Sequence, residues 1–80
     1  IPTKDLAISL YPNPTSSLIN IKAENVVKSI EIYDVQGRVI QVNKTDSKEV
    51  VLDVSTYNSG IYFVKVSTDF GSHIEKIVKD

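Results

Sequence analysis

Eighty residues make one small domain. Such a chain buries only roughly 60% of the surface its unfolded state exposes, too little to wall a two-domain catalytic cleft. Nine basic against ten acidic residues give a net charge of −1, so no basic field is available to hold a phosphate backbone, which argues against nucleic acid as a partner.

The absence of cysteine excludes a disulfide framework, a thiolate zinc site and a cysteine nucleophile. No apolar run reaches the ~20 residues of a membrane-spanning helix. Val (11) and Ile (10) dominate the apolar set, with Leu at 4 and Ala at 2. Stiff β-branched side chains favour strands over helices. The composition predicts an all-β domain with a radius of gyration near ~12 Å.

Ile1-Pro2-Thr3-Lys4-Asp5 reads as linker, with the domain proper at 6–80. Leu6, Ile8 and Leu10 alternate with smaller or polar residues and predict a first strand. Pro12-Asn13-Pro14 ends it, because proline lacks a ladder donor and restricts the residue before it. A second strand runs from Leu18 to Lys22, and Ala23-Glu24-Asn25 is expected to break it. A third follows, with Val26, Ile30 and Ile32 inward and Ser29, Glu31 and Tyr33 outward.

Asp34-Val35-Gln36-Gly37 carries the Asp-first, Gly-fourth pattern of a type I turn. It predicts a hairpin to a fourth strand over 38–42. A polar loop is expected over 43–48, then a fifth strand with Val50, Leu52 and Val54 inward. Gly60 falls in a corner. The sixth strand has Tyr62, Val64 and Val66 on one face and Ile61, Phe63 and Lys65 on the other. Asp69-Phe70-Gly71 is a tight turn into a seventh strand. There Ile74 and Ile77 depart from alternation, which predicts a bulge or an edge strand. The whole reads as an antiparallel Ig-like β-sandwich of about seven strands, with a barrel as the alternative.

Few residues carry chemistry. His73 is the sole histidine, and no Gly-x-Ser-x-Gly elbow surrounds any serine, so a hydrolytic triad is not expected. Asp34 and Asp53 lack the spaced acidic loop that calcium needs. Asp34 is explained by its turn, and Asp53 by an outward position or a loop amide. No phosphate-cradling glycine loop occurs, and no catalytic residue, metal ligand or cofactor is expected. Tyr62 is expected in the core or at a corner with its hydroxyl tied to backbone. Tyr33 and Phe63 are outward and fit either a sugar platform or packing against a neighbour.

Several blocks together resemble a known family. They are Leu10-Tyr11-Pro12-Asn13-Pro14-Thr15, Ile19-Asn20-Ile21, Ile32-Tyr33-Asp34-Val35-Gln36-Gly37-Arg38-Val39, Leu52-Asp53-Val54-Ser55, Ser59-Gly60-Ile61-Tyr62-Phe63-Val64-Lys65-Val66 and Lys76-Ile77-Val78-Lys79. In this order they resemble the type A C-terminal sorting domain of the type IX secretion system of Bacteroidota. Asp80 and Tyr57 depart from the family's usual Lys and Leu.

The resemblance implies a secretion signal, not an enzyme. It implies reading by the outer-membrane translocon after periplasmic transit, with a fused upstream cargo as covalent partner. A sortase-like surface peptidase would then cut in the linker, leaving cargo on the outer-membrane surface or in the medium. Gly60, Tyr62, Lys65, Lys76 and Lys79 are the expected recognition residues, with edge-strand pairing as one mode. Pro12, Asn13, Pro14, Asp34, Gly37 and Gly71 are expected to serve the turns. Exposed edges and the Ile61/Phe63 face predict weak self-association. The alternative is an Ig-like accessory module binding carbohydrate or protein on a larger secreted enzyme.

Overall fold

Alternating Ile and Val residues pair into a long two-stranded ribbon on which the rest of the fold is built. The structure, a computed structural model, describes residues 7–80. The expected linker 1–5 and Leu6 lie outside the described residues. The strands are β1 (Ser9–Tyr11), β2 (Leu18–Tyr33), β3 (Val39–Asp53), β4 (Gly60–Thr68) and β5 (Gly71–Lys79). Every strand pair is antiparallel.

β2 is the shared element. Its first half lies between β1 and the second half of β3, while its second half lies between the first half of β3 and β4. β5 pairs with β4 beyond that. Register shifts between Lys22 and Val27 and between Val27 and Ser29 divide the two halves. Such bulges bend and twist a ribbon, so the halves can serve two layers. Leu10, Ile19, Ile21, Leu52 and Val54 from one layer meet Val27, Ile30, Ile32, Tyr62, Val64, Val66 and Ile77 from the other in a single core. The Cα radius of gyration is 12.2 Å, close to the value expected from length.

The all-β, antiparallel reading holds, but the described residues form five strands where seven were expected. Residues 23–25 and 43–48 do not break the chain. Both lie inside strands of 16 and 15 residues. Residues 43–48 stay extended by pairing with Val27, Ser29 and Ile30, while 23–25 spans the register shift between the paired Lys22 and Val27. Thr45 Oγ1 donates to the Val27 carbonyl at 2.6 Å. Lys28 meets Asp46 at 2.9 Å and Lys22 meets Glu49 at 3.5 Å across the same stretch.

Two facing assignments also change. Val27, not Val26, is fully buried, because the register shift around Lys28 inserts one residue into the alternation. In β5 no bulge occurs, and its register with β4 is unbroken from Gly60↔Lys79 to Thr68↔Gly71. The edge assignment of that strand is the one that stands. Strict alternation sends Ile77 into the core and leaves Ile74 59% exposed on the outer face.

Candidate functional site

The Asp34 turn is held mainly by its own carboxylate. Gly37 N–H donates to the Asp34 carbonyl at 3.0 Å, closing a four-residue turn. Asp34 Oδ1 accepts from the Gln36 and Arg38 amides at 2.9 and 3.0 Å, and Oδ2 accepts from Arg38 Nε at 2.8 Å. The Arg38 amide, above all, holds the Asp34 carboxyl below its usual range, against partial desolvation that pushes upward. Gly37 has φ +84°, a left-handed conformation that glycine adopts without strain.

A corner faces this turn. Gly60 starts β4 at φ +146°, and only the backbone demands glycine there, since an added Cβ would meet nothing within 4 Å. Two residues on, Tyr62 turns inward and its hydroxyl donates to the Asn58 carbonyl at 2.6 Å. That matches the expected corner role. Its ring lies 5.2 Å from Tyr57. The Tyr57 hydroxyl donates to Gln41 Oε1 on β3 at 2.5 Å, and burial pushes the phenol upward. The corner is thereby tied to β3 through Gln41 and to β4 through Tyr62.

Between turn and corner lies an open cleft of about 520 Å³, lined by residues of 34–40 and 58–62. It brings Asp34 together with Gly60 and Tyr62, which lie far from it in the chain. Composition and local pattern gave no reason to place Val35, Val39, Ile40, Asn58 or Ser59 beside them. The available signal was three apolar residues, Val35 within a turn that should be polar and Val39 and Ile40 just after it.

The other expected site residues lie elsewhere. Asn13 reaches across to the outer edge of β5. Its Nδ2 donates to the Lys76 carbonyl at 2.9 Å and its Oδ1 accepts from the Val78 amide at 3.0 Å. Thr15 continues the seam, its amide donating to the Val78 carbonyl and its carbonyl accepting from the Asp80 amide, both at 2.9 Å. Pro12-Asn13-Pro14 is thus a turn that also covers an edge. Lys65 and Lys76 lie on the outer face of β4 and β5. Lys79 does not join them, because alternation sends it to the inner face. It is 8% exposed, with Nζ donating to the Asp80 carbonyl at 3.1 Å.

His73 Nε2 lies 3.1 Å from Glu75 Oε1. Asp53 Oδ1 accepts from the Ser55 amide at 2.9 Å, the loop-amide role expected of it. Tyr33 and Phe63 are cross-strand partners, and the Tyr33 hydroxyl donates to Glu31 Oε1 at 3.1 Å. Among the described residues no three His, Cys, Asp or Glu side chains gather as a metal site. No helix of the described residues is long and apolar enough to cross a membrane.

Two solved structures share the architecture. A DUF3244-family protein from Bacteroides vulgatus with an immunoglobulin-like β-sandwich fold is 16% identical at a TM-score of 0.77, over 91% of this chain and 83% of that one. PorZ, an essential bacterial surface component of the type IX secretion system of Porphyromonas gingivalis, is 21% identical at a TM-score of 0.74. That match covers 92% of this chain and only 11% of PorZ. No curated protein matches. The fold, its covered edge and its end cleft define a small immunoglobulin-like β-sandwich module. The chain belongs to the secretion system C-terminal sorting domain family, whose model matches residues 9–80. This associates the domain with type IX secretion.

Proposed function

We propose that this domain is a non-catalytic sorting signal, fused behind a cargo protein and read by the type IX outer-membrane translocon. The cargo crosses the periplasm and reaches the outer-membrane surface or the medium. A sortase-like surface peptidase then cuts in the linker, of which residues 1–5 form part, ahead of the domain at 6–80. The family match over residues 9–80 carries this reading, because it spans both walls of the cleft and the turn that covers β5.

Recognition draws on Gly60 and Tyr62, which shape the corner, and on Lys65 and Lys76, which add positive charge to the outer face. Lys79 acts from the inner side by holding the end of β5. Weak self-association uses the Ile61/Phe63 side of β4.

The test is a fusion of residues 1–80 to a periplasmic reporter in a host with the type IX system. Export of the reporter, followed by loss of the domain, is the expected result. A reporter that stays in the periplasm refutes the reading. A Lys65→Gln/Lys76→Gln variant with unchanged melting temperature is expected to lower export. Unchanged export would remove these lysines from the recognition surface.

A further inference from the structure

We propose that the cleft between the Asp34–Arg38 turn and the 58–62 corner docks an extended segment of a partner protein carrying an acidic side chain between apolar residues. A role for this docking in export rests on the sorting reading; the binding itself does not.

The first observation is a gap in the β-ladder. In β5 the even-numbered residues point away from β4, because Lys76, Val78 and Asp80 bond to the 13–15 segment. The odd-numbered residues of β5 therefore bond to β4, and their partners there are Gly60, Tyr62, Val64, Val66 and Thr68. That leaves Ile61, Phe63, Lys65 and Ser67 to bond to β2. Phe63, Lys65 and Ser67 find Tyr33, Glu31 and Ser29. Ile61 finds no strand partner among the described residues, since β2 ends at Tyr33 and the chain turns off at Asp34. Its N–H and C=O face the cleft. An open donor and acceptor on a strand are a template for one more extended segment.

The second observation is apolar surface. Of the ten exposed large hydrophobic residues among those described, four rim this cleft: Val35 at 66%, Val39 at 52%, Ile40 at 42% and Ile61 at 41% exposure. They can take the side chains that flank a docked backbone. The volume of about 520 Å³ lies within the roughly 300–1,000 Å³ of small ligand sites.

The third observation sets the charge. Arg38 is the sole arginine of the chain, and its side chain is 75% exposed. Nε is fixed on Asp34 Oδ2 at 2.8 Å, which holds the guanidinium plane in place. Its terminal nitrogens meet no acceptor among the described residues. Asp34 is only 16% exposed, and both its oxygens are engaged on Gln36 and Arg38. The cleft thus offers a pre-oriented guanidinium fork, whose complement is a carboxylate.

The exposed edge of β5 is the competing place. Asn13 and Thr15 cover it from Lys76 onward, which leaves a stretch around Ser72 and Ile74 with no charged fork beside it.

The test uses isotope-labelled domain and three probe peptides: acetyl-TVEVT-amide and its Gln and Lys counterparts at the central position. The acidic peptide is expected to shift the Ile61 amide resonance and to bind about tenfold or more tightly than the Lys peptide. Arg38→Gln should level the three peptides. Ile40→Glu, on the rim, should reject the acidic one while leaving the fold intact. The proposal is overturned if no peptide moves the Ile61 amide, if the shifts fall on Ser72 and Ile74 instead, or if the acidic and basic peptides bind alike. Export by the 1–80 fusion with no peptide bound would leave the sorting reading standing and remove this one.

Discussion

Asn13 offers a sharp test of how the fold closes. Replacing it with Ala removes two side-chain bonds to β5, to the Lys76 carbonyl at 2.9 Å and from the Val78 amide at 3.0 Å. Both are solvent-exposed, so water partly replaces them, and each contributes about 0.5–1 kcal/mol net. The expected loss is about 1–2 kcal/mol. An unfolding entropy of about 2.1 cal/mol/K per residue gives ~0.17 kcal/mol/K for this length, so the melting temperature should fall by ~6–12 °C. Differential scanning calorimetry reads that directly. Hydrogen exchange adds a local readout, since the Val78 amide should lose protection while Val64 keeps its own. Asn20→Ala is the control, because it removes one longer bond, to the Tyr11 carbonyl at 3.3 Å, and should shift the transition less. An Asn13→Ala protein that melts with wild type and keeps its Val78 protection would refute the edge-covering role.

Three further substitutions probe the rest. Gly60→Ala meets open space but sits at φ +146°, so backbone strain alone should lower stability by about 1–2 kcal/mol; unchanged stability in urea titration would contradict this. Ile32→Ala, in a fully buried core position, should lower it by about 2–5 kcal/mol, read by the same titration. Asp34 has a folded pKa below its unfolded value of about 3.9. Its contribution is therefore complete above that pH and lost as pH falls through the folded value. Asp34→Asn should flatten the acid limb of the stability–pH curve below pH ~4, and an unaltered limb would sink the assignment.

The sequence and the structure agree where information is local. The Asp34 turn, the Asp69–Gly71 hairpin, the Tyr62 corner and the inward Val64 and Val66 of β4 are all set within a few residues. They disagree where the partner is distant. Residues 23–25 and 43–48 look like loops because they are mostly polar, yet 43–48 pairs with Val27, Ser29 and Ile30, and 23–25 spans the register shift between the paired Lys22 and Val27. The partner is 18 residues away in the case of Lys28 and Asp46. One shifted residue near Lys28 then exchanged the facing of Val26 and Val27. The cleft was illegible for the same reason. Its walls come from two turns about 20 residues apart, and the gap at Ile61 exists only because β4 outruns β2. Lys79 misled because its charge suggested the surface, while the strand period places it inside.

The seam between 13–15 and 76–80 also sets an order of events. Asn13 bonds to residues 63 and 65 positions later in the chain. During synthesis the Pro-Asn-Pro turn emerges before its acceptors and donors, which follow more than 60 residues later. The contacts of greatest sequence separation are therefore the final ones to form, and loop closure of this length slows them relative to the local hairpins. A chain interrupted before Lys76 would hold its hairpins yet leave Asn13 and Thr15 undocked and the inner layer short of Ile77. Closure of the seam is thus a physical mark of a chain translated through Asp80, displayed on the outside of the molecule.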